Sequence, residues 1–251
     1  MGINIAVAGK GGTGKTTTCA LIIRVLKELD KGTVLALDAD SNSNLNELLG
    51  VEVSKTIGNI REDFKKEGAN LPSGMYKDQM VEMNIHQSLI EGEGFDLLAM
   101  GRGEGPGCYC AANTLFKKYI DQIQSHYGFV VMDNEAGMEH LSRRTTSDVD
   151  FLLIISDPSP RGVMTAARIR DLSKDLNINA KIIKLIVCKV QGTIDERLSD
   201  YIRDRGFESF ETIDLDQKLY ELELAGKNIF DLEKEAKSLK KVNKILKNMD
   251  I

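Results

Sequence analysis

Apolar runs of five or six residues, rich in β-branched side chains, recur along this chain and alternate with stretches whose apolar positions repeat at helical spacing. The runs predict strands at 3–8, 33–38, 95–100, 128–133, 151–156 and 181–188, with a weaker one at 207–213. Two of them, Phe151-Leu152-Leu153-Ile154-Ile155 and Ile182-Ile183-Lys184-Leu185-Ile186-Val187, are almost continuously apolar. A strand wetted on one face alternates, whereas one covered on both faces does not. The expected fold class is therefore α/β in three layers, a mainly parallel, roughly seven-stranded central sheet flanked by helices. Between about 50 and 94 the sequence turns charged and Gly-punctuated, and its periodicity weakens. At the far end Leu232, Ala236, Leu239, Val242, Leu246 and Met249 share a helical face with lysines around them. Without large aromatic anchors, and with Glu233 and Glu235 present, that helix is expected to close on the sheet rather than lie on a membrane.

Composition narrows the class. At 251 residues and 42% apolar content the chain is expected to form one domain, 1–251, with a substantial core and neither internal repeat nor low-complexity linker. No apolar run approaches the roughly 18 residues of a membrane span, and Met1-Gly2-Ile3 leads straight into the first strand, so a cytoplasmic protein is expected. A net charge of −5 argues against general nucleic-acid binding. Four cysteines are too few for a disulfide framework in a chain this long, which leaves thiols for metal or redox work.

The most specific chemistry follows the first strand. Gly9-Lys10-Gly11-Gly12-Thr13-Gly14-Lys15-Thr16 fits G-x-x-x-x-G-K-[ST], the phosphate-cradling P-loop, between a predicted strand and a predicted helix. Glycines let backbone N–H groups turn inward, Lys15 places charge on the outer phosphates, and the Thr16 hydroxyl can ligate Mg²⁺. Gly11, Gly12, Thr13, Gly14, Lys15, Thr16 and Thr17 are the candidate nucleotide-binding segment. After the second strand, Asp38 and Asp40 stand at the carboxyl end of the sheet, where such folds bind ligands. Their alternative use is to cap a helix beginning near Ser43 or Asn44. Phe129-Val130-Val131-Met132-Asp133 is an apolar run closed by an acid, the Walker B pattern, in which Asp133 would hold Mg²⁺ through water.

Lys10 is not required by an ordinary P-loop. Lys-Gly-Gly-Thr-Gly-Lys-Thr resembles the deviant Walker A motif of the MinD, ParA, Mrp and nitrogenase iron protein class of P-loop ATPases. The resemblance implies that Lys10 crosses a homodimer interface to the partner's nucleotide, making Lys10, Lys15 and Asp40 the catalytic set. It also implies that Asp40 positions the attacking water and that Asp38 supports the lysine or hydrated magnesium. Asn134-Glu135-Ala136-Gly137 is similar to the second switch, with Gly137 offering its N–H to the outer phosphate. Cys188 stands where this class usually ends a strand with the asparagine that reads adenine, and a thiol cannot reproduce an amide's paired hydrogen bonds. ATP is expected over GTP by resemblance alone.

Gly105-Pro106-Gly107-Cys108-Tyr109-Cys110 is a turn carrying two thiols, followed by a helical stretch from about Ala111 to Tyr127. A helix N-terminus favours thiolate, the form that binds metal. Two thiols cannot complete a tetrahedral site, but a homodimer with its axis through this segment would supply four, suiting Zn²⁺, Ni²⁺ or an Fe–S cluster. Taken together, the P-loop, Cys-Tyr-Cys with Asn113, and the run from Val130 to Arg143 resemble the CooC and AcsF family of nickel-insertion ATPases. That resemblance implies ATP, Mg²⁺ and Ni²⁺ or Zn²⁺ shared by Cys108 and Cys110 across a homodimer. It implies as client the apo form of carbon monoxide dehydrogenase or acetyl-CoA synthase; on the charge and the terminal helix described above, neither nucleic acid nor membrane is expected as partner. It is weakest at about 50–94, which reads as a family-specific insertion. A ParA or MinD type positioning ATPase and an iron protein type Fe–S reductase remain as rivals. Glu135, Glu139 and His140 are either further ligands or a salt-linked turn, while Cys19 and Cys188 are expected to be packing residues.

Overall fold

The computed structural model describes residues 2–40, 44–67, 77–101, 110–134, 148–176 and 178–251. In chain order these form β1 (Ile3–Gly9), α1 (Lys15–Leu29), β2 (Val34–Asp38), α2 (Leu45–Leu49), α3 (Ile57–Glu67) and α4 (Lys77–Gln87). A short β3 (Ile90–Gly92) turns into β4 (Phe95–Ala99), then α5 (Cys110–Gln124), β5 (Phe129–Asp133), β6 (Asp148–Ser156) and α6 (Pro160–Asp175) follow. The remainder is β7 (Asn179–Val190), α7 (Glu196–Asp204), β8 (Phe210–Asp214), α8 (Gln217–Leu224), a 3-10 turn (Ile229–Asp231) and α9 (Lys237–Lys247).

The strands make one eight-stranded sheet in the order β3-β4-β2-β5-β1-β6-β7-β8. Every described pairing is parallel except the hairpin between β3 and β4. The three-layer α/β expectation holds, and the strand beyond the seven expected is β3. Its three residues, Ile-Glu-Gly, are too short and too mixed to register as an apolar run.

Period-two geometry explains how single strands serve two cores. Along β1, Ile5 and Val7 face one side while Ala6 and Ala8 face the other, and along β6 Phe151, Leu153 and Ile155 oppose Leu152 and Ile154. One face is covered by α1, α2, α8 and α9, the other by α3, α4, α5, α6 and α7. The apolar stripe of the terminal segment is consumed here: Leu232, Ala236, Leu239, Val242, Leu246 and Met249 all lie in the first core. Within 50–94, Ile57, Ile60, Val81 and Ile85 are buried in the second. No helix among the described residues is long and apolar enough to cross a membrane.

This topology concentrates chemistry at one edge. β1 lies between β5 and β6, and its chain continues through α1 to β2 on the far side of β5. The carboxyl ends of β1, β2 and β5 thereby meet at a topological switch point, where open α/β sheets leave a crevice.

Candidate nucleotide-binding site

The loop between β1 and α1 is built by backbone constraints. A Cβ on Gly9 would stand 2.4 Å from the Ile155 carbonyl oxygen of β6, so only glycine lets β1 end this close to its neighbour. Gly14 caps α1 in the left-handed region at φ 100°, leaving the first N–H groups of a fifteen-residue helix directed into the loop. Inside it, the Lys10 carbonyl accepts from the Thr13 hydroxyl at 2.8 Å, the Thr13 N–H at 3.4 Å and Lys15 Nζ at 3.4 Å. Three donors thus converge on one oxygen. A phosphate oxygen, with more charge and more lone pairs, can take the same donors. The hydroxyl of Thr17, two residues beyond Lys15, donates to Glu223 of α8 at 3.3 Å.

Register places the two strand-end acids side by side, since Asp38 of β2 is the direct partner of Asp133 of β5. Both are buried. Burial together with the Asp133 charge raises the Asp38 carboxyl to about 7, against the opposing pull of the Leu45 and Asp40 amides. Burial likewise raises Asp133 to about 6, although the Thr16 hydroxyl and Lys15 pull it down. The Thr16 hydroxyl lies toward Asp133 without making a hydrogen bond of good geometry, and both Asp133 carboxylate oxygens are without a hydrogen-bond partner. Two adjacent buried acids, one of them unpartnered, are electrostatically incomplete and suited to a cation.

The two sequence-level uses of the β2 acids separate at Asp38. It accepts from the Asp40 N–H at 3.1 Å and from the Leu45 N–H, the first residue of α2, at 3.1 Å. Asn44, at the N-cap position, makes no side-chain cap. Asp38 therefore caps α2 from seven residues away and still faces Asp133. Asp40 is half-buried at the crevice. Asn134 is buried beside them and its amide donates to the Val7 carbonyl at 3.0 Å, tying β5 to β1.

Lys10 behaves differently from Lys15. It is exposed, and among the described residues its ammonium has no hydrogen-bond or ion-pair partner. It lines an open pocket of about 370 Å³ with Arg161, Arg168 and Tyr201, three cations and no acid. On the other side of the loop, Cys188 is buried with its sulfur 3.7 Å from the Thr18 hydroxyl and its Cβ near Gly14. Burial pushes this thiol to about 11, and burial with the Asp133 and Asp38 charges pushes Cys19 well above its ordinary value. Both are free packing cysteines, Cys19 on the buried face of α1 and Cys188 beneath it on β7, as expected.

Lys189, which follows Cys188, is a site residue that the sequence pattern does not reveal. Its Nζ donates to the Gly12 carbonyl at 2.8 Å. Cys110 is the first residue of α5, while Cys108, Glu135, Gly137, Glu139 and His140 lie outside the described residues. Among the described residues no group of three or more His, Cys, Asp or Glu is placed to hold a metal.

Comparison with known proteins agrees with this geometry. The family model described as CobQ/CobB/MinD/ParA nucleotide binding domain matches residues 5–229. An uncharacterised ATP-binding protein of Methanocaldococcus jannaschii is 42% identical over 243 residues, 96% of each chain. The carbon monoxide dehydrogenase accessory protein CooC of Rhodospirillum rubrum is 33% identical over 247 residues, covering 92% of this chain and 90% of that one. Among solved structures, the septum site-determining protein MinD of Pyrococcus horikoshii, complexed with Mg-ADP, superposes with a TM-score of 0.68 at 18% identity, covering 100% of this chain and 96% of that chain. With its P-loop, paired strand-end acids and parallel sheet, this chain belongs to the CobQ/CobB/MinD/ParA nucleotide-binding domain family and is an ATP-binding ATPase of that family.

Proposed function

We propose that this chain is a dimerising maturation ATPase that delivers nickel, as cargo, to a Ni–Fe–S enzyme of the carbon monoxide dehydrogenase or acetyl-CoA synthase kind. The observation that carries the reading is the relative named as a carbon monoxide dehydrogenase accessory protein, alike along nine-tenths of both chains, combined with the Cys108-Tyr109-Cys110 turn. Cys110 opens the fifteen-residue α5, a position where the helix dipole favours a thiolate.

In this reading the N–H groups of residues 11–14 and the Lys15 ammonium hold the phosphates, with Thr17 at the rim of the site. The residues fit a Mg²⁺, because Asp133 presents two buried, unpartnered oxygens toward Thr16. Bound there, through the Thr16 hydroxyl and through water to Asp133, the ion would neutralise charge on the outer phosphates. Asp38 holds the α2 turn and keeps Asp40 at the crevice, where its carboxylate orients water. Gly137 would offer its N–H to the outer phosphate. Lys10 of one protomer stabilises the transferring phosphoryl group bound by its partner, and its exposed, unpaired ammonium supports that role. Hydrolysis then reopens the dimer and alters the thiol site shared between protomers.

Titration with Ni²⁺ and Zn²⁺, with the dimer fraction followed in parallel, tests the proposal. One metal per dimer is expected, lost in Cys108→Ser and in Cys110→Ser, with ATP binding intact in both variants. One metal per monomer, unaffected by losing both thiols, would sink the nickel reading while leaving the ATPase untouched.

A further inference from the structure

Lys189 sits in an unusual place. It is next to last in β7, and the register between β7 and β8 shifts between Val187 and Val190, the mark of a bulge. Its φ is 60°, in the left-handed region that side-chain-bearing residues rarely adopt. The other two non-glycine residues at positive φ among those described, Asp30 and Asp250, follow helix ends, where such a conformation is routine. Only here is it set into a strand. Its effect is to turn one side chain out of the sheet's alternation, so that Cys188 packs under the P-loop while Lys189 reaches over it to the Gly12 carbonyl.

That carbonyl belongs to a peptide whose other half matters. The chain has no cis peptide bond among the described residues, so the Gly12 C=O and the Thr13 N–H point in opposite directions. With the oxygen held outward by Lys189, the Thr13 N–H is aimed into the loop, where it meets the Lys10 carbonyl together with Lys15 Nζ. Gly12, at φ 78°, has the freedom to let this peptide flip. A flipped peptide would present a carbonyl oxygen to an incoming phosphate instead of a donor.

We propose that Lys189 is a positioning residue for the phosphate chain of the nucleotide: by holding the Gly12 carbonyl outward it keeps the Thr13 N–H facing the phosphates. The inference rests on the ATPase assignment and is independent of the nickel reading. Because the Lys189 bond is exposed, it contributes little to the stability of the fold. Its work is to select one orientation of one peptide.

The test compares wild type with Lys189→Gly, which suits the left-handed backbone while removing the ammonium, and with Lys189→Arg, which restores a donor. Binding of Mg-ADP, inorganic tripolyphosphate and adenosine is measured by calorimetry, and the melting temperature of each nucleotide-free protein is recorded. For Lys189→Gly we expect affinity for tripolyphosphate and for Mg-ADP to fall together by about tenfold. Adenosine binding and melting temperature should stay as in wild type, and Lys189→Arg should recover most of the loss. Unchanged tripolyphosphate binding in Lys189→Gly would overturn the proposal. So would an equal loss for adenosine, or a loss accompanied by a lower melting temperature. Failure of the wild type itself to bind either phosphate ligand would instead remove the ATPase assignment on which the inference stands.

Discussion

At Asp133 two demands on one residue conflict. A carboxylate that can approach a hydrated cation must keep its oxygens unpaired, and in the folded chain both are buried without a partner beside a second buried acid. Each such group penalises the metal-free fold. Asp133→Asn, which removes charge and keeps shape, should therefore raise the melting temperature of the nucleotide-free protein in EDTA near pH 7.5, by about 2–4 °C for each kcal/mol regained. The same variant should lose Mg²⁺-dependent ATP hydrolysis. Differential scanning calorimetry and a phosphate-release assay check the two halves, and a lower melting temperature would contradict the electrostatic reading. Lys15, thirteen residues from the nearest acid in sequence, Glu28, is drawn into the same balance only because β5 ends beside the loop.

At the scale of elements, the closing segment depends on one acid. Asp216 caps α8 through the Lys218 N–H at 3.1 Å and also accepts from the N–H and hydroxyl of Ser238, both at 2.8 Å, at the start of α9. Burial opposes its charge, but the Ser238 and Lys218 donors outweigh burial and hold the carboxyl below its ordinary value. Two helices are thereby pinned to one side chain, and α9 carries Leu239, Val242, Ile245 and Leu246 into the first core. Asp216→Ala should cost about 2 kcal/mol of stability. The sign with pH follows from the lowered value. The folded chain releases this proton more readily than the unfolded one, so the stabilisation is present above the unfolded carboxyl value and is lost as pH falls through the folded value. The deficit of Asp216→Ala in urea unfolding should accordingly shrink from pH 7 toward pH 3.

At the scale of the whole molecule, Lys10 is the residue whose proposed role one chain cannot complete. It lines an open basic pocket with Arg161 and Arg168, and its ammonium has no hydrogen-bond or ion-pair partner among the described residues. Lys10→Ala should therefore leave ATP binding to the monomer within about twofold while reducing ATP-dependent dimerisation and hydrolysis at least tenfold. Light scattering with a nonhydrolysable ATP analogue reads the dimer, and wild-type association with wild-type turnover would leave Lys10 an ordinary loop lysine.

Local pattern determined much of this protein by itself. The P-loop is contiguous, so its glycines, Lys15 and Thr16 were legible together, and the continuous apolar run of β6 marked a strand buried on both faces by two helical layers, whereas in β7 only the stretch from Leu185 is buried and Ile182 is exposed beyond their reach. The stripe from Leu232 to Met249 was legible as core from its spacing, although only Leu239, Val242 and Leu246 lie within α9, and Leu232, Ala236 and Met249 reach the same core from the chain on either side of it. What only the tertiary structure decided involves residues far apart in the chain. The pairing of Asp38 with Asp133 depends on β5 inserting between β1 and β2, an order no local run encodes. The capping of α2 by Asp38 needs the chain to turn back on its own strand end. The three-residue β3 is too short to carry a period and exists because β4 offers an edge. Lys189 reaches Gly12 across 177 positions of sequence, through a bulge set by the β7 and β8 register, and a lysine ending a strand looks the same in sequence whether it touches water or a phosphate-binding loop.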